Sequence, residues 1–572
     1  MENDGHHKGA DHPVLGASED KPESSEKSRD REAGETLNAL KPLGYGRRWY
    51  DPLYNMLRFL QYSWLGKRLP TSWRRLFHHL SNHLLQLHEV KRMRANGPRR
   101  FDGPLEVPID EHVAVPGLWV VDYFPPSLID ELNKAVKVNH WDNRRHSGTG
   151  ESSTETLKEA RQGAGPIWWR IADISSPDAG YSFPDGYIEK LPKEFRAIEL
   201  KGIPIGEGVT AVIAHFHLSQ SGARLLDTVW HHRHQPALAK TKGGSVVAES
   251  ERWSAFRKTQ AARESLHRLA REWLRLRCPG AFAQAREHQP LMDLLVLTQF
   301  DPSSGERPDR ETEDRLRALG LTESGVTWQT SSELPGFLLE KVRPPFVPVL
   351  QERTWALWGN RSTIAAGKDL SRYGFDDEGG IANYVDDHMN DFVVRLGLSE
   401  FLELLKAESA TMRDSARAHH GKFGRRDLKR LRQRFLTASL DFASIQRDVQ
   451  QYNSRRWRDR EALFILDYAP WIRRQDDDAG RKPFKPIPVN KDLRSRQNKA
   501  AQDLVAFDRN YREILSTVAS LGASIDAFKV QRYAIWIAIA SVIVALVTLW
   551  ISLLSTTEAV RALENWLSSI GL

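Results

Sequence analysis

Cysteine is almost absent from this 572-residue chain. Cys278 stands alone, so neither an intramolecular disulfide framework nor a cysteine-based zinc cluster can form. A body without disulfides suits a reducing cytosol. The common catalytic signatures are missing too: no GxxxxGK(S/T) phosphate loop, no GxGxxG, no HExxH and no GxSxG nucleophile elbow. That removes the standard nucleotide, zincin and hydrolase chemistries, and a non-enzymatic protein is the expectation. Large apolar side chains are scarce in residues 1–37, which are rich in Glu, Asp, Lys, Ser and Gly. A disordered tail without a secretory signal is expected there. Long apolar runs are also missing, with one exception.

The exception is residues 533–554, YAIWIAIASVIVALVTLWISLL, framed by Tyr533, Trp536, Ala545, Trp550 and Leu554. About 22 uncharged positions at about 1.5 Å each span a hydrocarbon core of about 30 Å. In lipid the backbone must satisfy its own hydrogen bonds, which predicts a transmembrane helix. Lys529 and Arg532 precede the run, whereas residues 555–572 offer Arg561 beside Glu558 and Glu564. The bias of positive charge places the large N-terminal part in the cytoplasm, giving a single-pass protein of the inner (cytoplasmic) membrane. Val560, Leu563, Trp566, Leu567 and Ile570 fall on one side of an amphipathic tail.

Before the span, Leu493, Gln497, Ala500, Leu504, Phe507, Tyr511, Ile514, Val518, Leu521, Ile525 and Phe528 alternate by four and three. This heptad predicts a coiled-coil stalk entering the membrane as one rod from about Lys491 to Leu554. A second series, Leu428, Leu431, Phe435, Ala438, Phe442, Ile445, Val449 and Tyr452, precedes a proline-rich loop at 470–489. Together they read as an antiparallel helical hairpin, with Leu436, Leu440, Leu515 and Ala519 widening the apolar faces for a homo-oligomer. A cytosolic α/β domain, a helical hairpin and a stalk helix running into the membrane resemble the CorA-type divalent-cation channels over about residues 380–554. The chain departs from that family in having no second membrane helix and no Gly-Met-Asn after the first. Its only Met-Asn pair, Met389–Asn390, lies in the soluble part.

Upstream, 118–123, 167–174, 209–218, 291–300 and 347–358 read as strands near helix signals, which predicts an α/β or α+β body. Ser127 and Ser219 are expected helix caps, 260–276 an exposed arginine-rich helix, and 73–94 a basic amphipathic helix that either docks on the anionic leaflet or packs on the body. The domain reading is thus a tail at 1–37, a basic helical segment at 38–100, the body at 101–400, the hairpin and stalk at 401–532, the span at 533–554 and the tail at 555–572.

Three clusters carry possible chemistry. His215 and His217 share one face of a strand, and His231, His232 and His234 end the next helix. Neutral imidazoles of this kind hold zinc, although the spacing matches no zinc signature. Asp376, Asp377, Glu378, Asp386, Asp387, His388 and Asp391 form an acidic run, with Asp387 and Asp391 on one helix face able to hold a hard divalent cation. Lys422, Arg425, Arg426, Lys429, Arg430 and Arg432 make a basic helix face. The charge of +8 fits anionic lipid or nucleic acid. Interleaved stacking aromatics are missing, so nucleic acid is not the expected partner. The reading is a membrane-anchored protein whose cytosolic sensor or interaction domain, open to a protein partner, is coupled to the bilayer through a self-associating stalk. The alternatives are a CorA-like cation transporter or pore-forming effector, and a membrane-tethered metal-dependent enzyme.

Overall fold

The computed structural model describes residues 49–96, 103–142, 152–163, 165–180, 183, 186–241, 244–321, 326–342, 353–366, 370–374, 377–419, 425–454, 461–482 and 484–571. The tail at 1–37 and Asp376 lie outside them. So do the side chains of Asp377 and of the basic run at 422–432, although Arg425–Ser454 is helical.

A mixed nine-stranded sheet forms the body. Its strands are β1 (Val113–Ala114), β2 (Gly117–Phe124), β3 (Trp169–Ser175), β4 (Tyr187–Ile188), β5 (Phe195–Pro204) and β6 (Thr210–Leu218), then β9 (Leu291–Leu297), β11 (Phe337–Lys341) and β12 (Thr354–Asn360). Their order is β11-β12-β9-β2-β6-β5-β3-β4, with β1 beside β9. The remaining strands among the described residues are a hairpin of β7 (Ala237–Lys240) and β8 (Val246–Glu249), and a small sheet of β10 (Thr327–Ser331), β13 (Phe464–Tyr468) and β14 (Ile487–Pro488). Every residue of β2 and β6 is buried, as their near-continuous apolar runs require of central strands covered on both faces.

Six helices matter here: α1 (Asp51–Tyr62), α2 (Thr71–Asn96), α3 (Glu251–Arg277), α4 (Asp377–His419), α5 (Arg425–Ser454) and α6 (Val489–Ser569). Leu118, Val120, Leu200 and Phe216 on one sheet face pack with Phe256, Leu266 and Leu274 of α3. Trp119, Val121, Ile203 and Ile213 on the other pack with Val385, Met389 and Phe392 of α4, Ile445 and Val449 of α5, and Leu504 of α6. The result is three layers, helix on sheet on helix.

Several expectations change. The loop at 470–489 contains a helix, Pro470–Asp478, started by a first-turn proline and anchored by buried Trp471, and then β14. The boundary at 400 falls inside α4, whose 43 residues run unbroken because Phe401 and Leu402 continue the same buried face. The helical pair is a trio, since α6 packs on both α4 and α5. The helix at 260–276 is not an exposed one: Arg263, His267 and Arg271 are buried in it. Ser219 caps its helix, whereas the Ser127 hydroxyl bonds Asp441 of α5. The tail beyond residue 554 continues α6 without a break to Ser569.

Of the residues in the expected heptad seam, Leu504 is buried and Tyr511 meets Phe435 at 5.1 Å, but Phe507 is 53% exposed. Ile514, Val518, Leu521, Ile525 and Phe528 lie in α6, with side chains outside the described set. Among the described residues one stretch, Gln531–Ser569, is long and apolar enough to cross a membrane, and its most apolar window is entirely unburied by the body. Helix α2 packs on the β7–β8 hairpin, with Asn82 Nδ2 donating to Val246 O and Gln86 Oε1 accepting from Ala248 N, while Trp73, Leu76 and Leu80 stay exposed.

Candidate functional site

Strands β2, β5 and β6 run antiparallel in a register that sets Glu199 and Trp119 opposite His215, and Ala197 and Gly117 opposite His217. Side chains alternate between sheet faces, so Glu199, Lys201, His215, His217 and Trp119 emerge together on the face covered by α4. Helix α4 brings Asp386, Asp387, His388 and Asp391 onto the same place. Between them lies a cavity of about 540 Å³ whose walls include Arg170, Glu199, Lys201, Asp386, Asp387 and Asp391.

Asp386 is the hub. Its carboxylate accepts from Trp119 Nε1 at 2.9 Å and pairs with Lys201 Nζ. Glu199 Oε1 meets His217 Nε2 at 2.7 Å, and its other oxygen lies 3.7 Å from Lys201 Nζ. The His215 ring stacks on Trp119, with centroids 4.5 Å apart and planes at 10°, and touches the His217 ring at 3.9 Å. Gly117 admits this ring: a Cβ there would come within 3.0 Å of His215 Nε2. His215 Nδ1 is 3.3 Å from Asp386 Oδ1 but misaligned. Neither ring nitrogen has a hydrogen-bond partner among the described residues, although the side chain is fully buried.

Burial and then the neighbouring His217 push the His215 imidazole down to about 3, so it is a neutral base with a free lone pair at physiological pH. Burial pushes the Glu199 carboxyl up, but the hydrogen bond from His217 and the Lys201 ammonium outweigh it and hold Glu199 well below the usual range. Burial likewise opposes ionisation of Asp386 and Lys201. Their mutual attraction prevails, lowering the acid and raising the base. Beside the cavity-lining Arg170, burial raises Asp173 to about 6 against the pull of that arginine, which it meets at 2.8 Å.

His215, His217, Asp387 and Asp391 therefore sit in one neighbourhood, but not as equals. His215 and His217 lie in the sheet layer behind Glu199. Asp387 and Asp391 line the cavity across from it, and Asp387 accepts from Tyr373 Oη at 3.3 Å. His231 lies elsewhere, with His112 and Asp227. Glu199 and Lys201 are not legible as site residues because charges, Gly202 and Pro204 interrupt the apolar run that would mark β5 as a strand. The available signal was the alternation of Ala197, Glu199, Lys201 and Ile203. Two charges at alternate positions of a buried strand require partners on the covering layer, and Asp386 is one.

The site is tied to α6. Arg395, two turns beyond Asp387 on α4, makes a two-pronged contact with Glu461, donates to Gln497 Oε1 of α6 at 3.2 Å, and lies over the Tyr452 ring. Gln497 Nε2 returns to Arg395 O at 2.7 Å, and Glu461 also accepts from Arg494 and Asn490 of α6. No family model, curated protein or solved structure matches the chain.

Proposed function

We propose that this protein is a membrane-anchored receptor, in which a polar ligand held in the cavity between sheet and α4 biases the helix that enters the bilayer. The observation that carries the reading is that Asp387, Asp391 and Arg395 succeed one another on α4 at four-residue spacing. One end of that row lines the cavity and the other is locked to the base of α6. Helix α6 then continues, over 81 residues and about 120 Å, through the apolar stretch. A ligand that alters the position of α4 therefore alters the register of α6, the differential contact that a population shift requires. Single-pass anchoring with the body on the cytoplasmic side follows from the lysine and arginine bias before Tyr533.

Self-association of stalks is part of the proposal. Leu436 (51% exposed), Leu440 (73%) and Phe507 (53%) leave apolar side chains uncovered on α5 and α6, where a second copy would bury them. Conduction is not part of it. Ser541 and Thr548 turn their hydroxyls back onto Ile537 O and Val544 O, so they offer a water-filled lumen no free donor.

The test uses the full-length protein in native membranes. Alkaline carbonate should leave it in the pellet, and an F507C variant should form oxidative crosslinks between copies. The Arg395→Met variant should change the crosslinking yield. Release by carbonate refutes the anchor, monomers throughout refute stalk association, and a yield unmoved by Arg395→Met refutes the link through α4.

A further inference from the structure

The receptor reading leaves the ligand class open, and the buried wall of the cavity narrows it. Glu199, His215 and His217 each turn one donor atom to within 4.8 Å of the other two. Two of these three residues face each other across adjacent strands and the third follows two positions on, so rigid sheet backbone, not a loop, fixes their spacing. His215 is the informative member. It is 1% exposed, stacked on Trp119 and surrounded by polar atoms, yet neither ring nitrogen is satisfied by a described residue. Leaving a buried polar group unpaired costs about 1–3 kcal/mol, so a fold that builds such a position with a glycine opposite the ring has a use for the lone pair.

We propose that Glu199, His215 and His217 form a binding site for a divalent first-row transition ion of the zinc class. Two imidazoles and one carboxylate are a donor set suited to that class and unsuited to magnesium or calcium, which take oxygen. Three protein ligands leave a tetrahedral ion with a fourth position. Glu199 belongs both to the trio and to the cavity wall, so that position is reached from the cavity. Ligand atoms on a tetrahedral ion stand about 3.3 Å apart, and side-chain movements of about an ångström would bring the three donors to that spacing. Asp386 keeps the Lys201 ammonium occupied, which limits its repulsion of the ion. The separate His112–Asp227–His231 cluster is a poorer site: Asp227 already accepts from Val113 N at 3.0 Å, and His231 faces the carbonyl oxygens of Asp227 and Pro108, each at 3.2 Å.

The inference rests on the receptor reading for its purpose, but its test is separate. Full-length protein purified in detergent is stripped with a chelator and dialysed against zinc chloride, with metal content measured per chain. Cobalt chloride in parallel reports four-coordination through its visible absorption. One zinc per chain is expected. Replacing a direct ligand should weaken binding more than about 100-fold, above the 10–100-fold typical of outer-shell changes. That loss is expected in Glu199→Gln, which keeps the side-chain shape, and in His215→Ala and His217→Ala, whereas His112→Ala should bind as the parent does. The site is overturned if the parent takes up no stoichiometric zinc, if Glu199→Gln and both histidine variants bind like the parent, or if binding is lost with His112→Ala instead. Stoichiometric zinc without any change in crosslinking of F507C keeps the site and removes the receptor reading.

Discussion

Arg395→Met is the substitution that separates a mechanical link from ordinary packing. Arg395 is fully buried, faces both oxygens of Glu461, and also donates to Asn453 Oδ1 at 2.5 Å and Gln497 Oε1 at 3.2 Å. Methionine keeps much of the aliphatic length but removes every donor. Breaking one side of a buried ion pair costs about 3–5 kcal/mol, because the charge left behind is uncompensated. Glu461 would retain Arg494 Nη2 at 2.8 Å and Asn490 Nδ2 at 3.0 Å, which places the cost at the lower end, about 3 kcal/mol. Arg395 joins α4 to α6, so the loss should be local. Amide hydrogen exchange of the full-length protein in detergent should speed up roughly 100-fold over residues 489–505, since every 1.4 kcal/mol is about tenfold. Exchange in β6 should not change. Adding Glu461→Met should not recover the loss, because it also takes the acceptor from Arg494 and from buried Asn490 of α6. Equal acceleration in β6 and α6, or none in either, would refute the idea that this contact holds the base of α6 to the cavity helix.

Three further outcomes follow from other contacts. Burial holds the His267 imidazole down at about 4, against the pull of Asp293, which it meets at 2.8 Å. The unfolded chain therefore binds the extra proton between about pH 6.5 and 4, and stability should fall across that window as pH drops, by up to about 3 kcal/mol. The thermal midpoint should record this slope, and His267→Gln should flatten it; an unchanged slope would count against the assignment. Gly208→Ala would drive a Cβ into Ser444 Oγ and to 2.7 Å from Asp448 Oδ2, levering α5 off the β5–β6 turn. Overpacking of this kind costs about 1–3 kcal/mol, which a lowered thermal midpoint should show. Cys278 is fully buried and burial raises its thiol above the usual range, so a maleimide should label it only once the chain unfolds.

Much of the architecture was legible where one physical demand dominated. The apolar helix at 533–554 follows from length and charge alone, and Leu118–Tyr123 and Val209–Leu218 follow from apolar runs that only a doubly covered strand needs. The site was legible in halves. His215 and His217 share a strand face by period two, and Asp387 and Asp391 share a helix face by period four. Neither period says that the two faces meet, because that depends on the order of strands. The sheet order sets β5 beside β6 and brings α4 over both. The residues that join the halves were hidden for the same reason. In the sequence, Glu199 and Lys201 are charges in a stretch that runs into Gly202 and Pro204, and Arg395 is a single arginine among apolar neighbours, so nothing local marks them. A charge on a buried face is stable only when its partner arrives from another element: Lys201 with Asp386, Arg395 with Glu461, Arg263 with Asp293 at 2.6 Å. His215 differs: Asp386 Oδ1 comes to 3.3 Å of its Nδ1, yet neither ring nitrogen gains a hydrogen bond from the described residues. That asymmetry, in a layer where its ionisable neighbours are matched, is the physical argument for a ligand there.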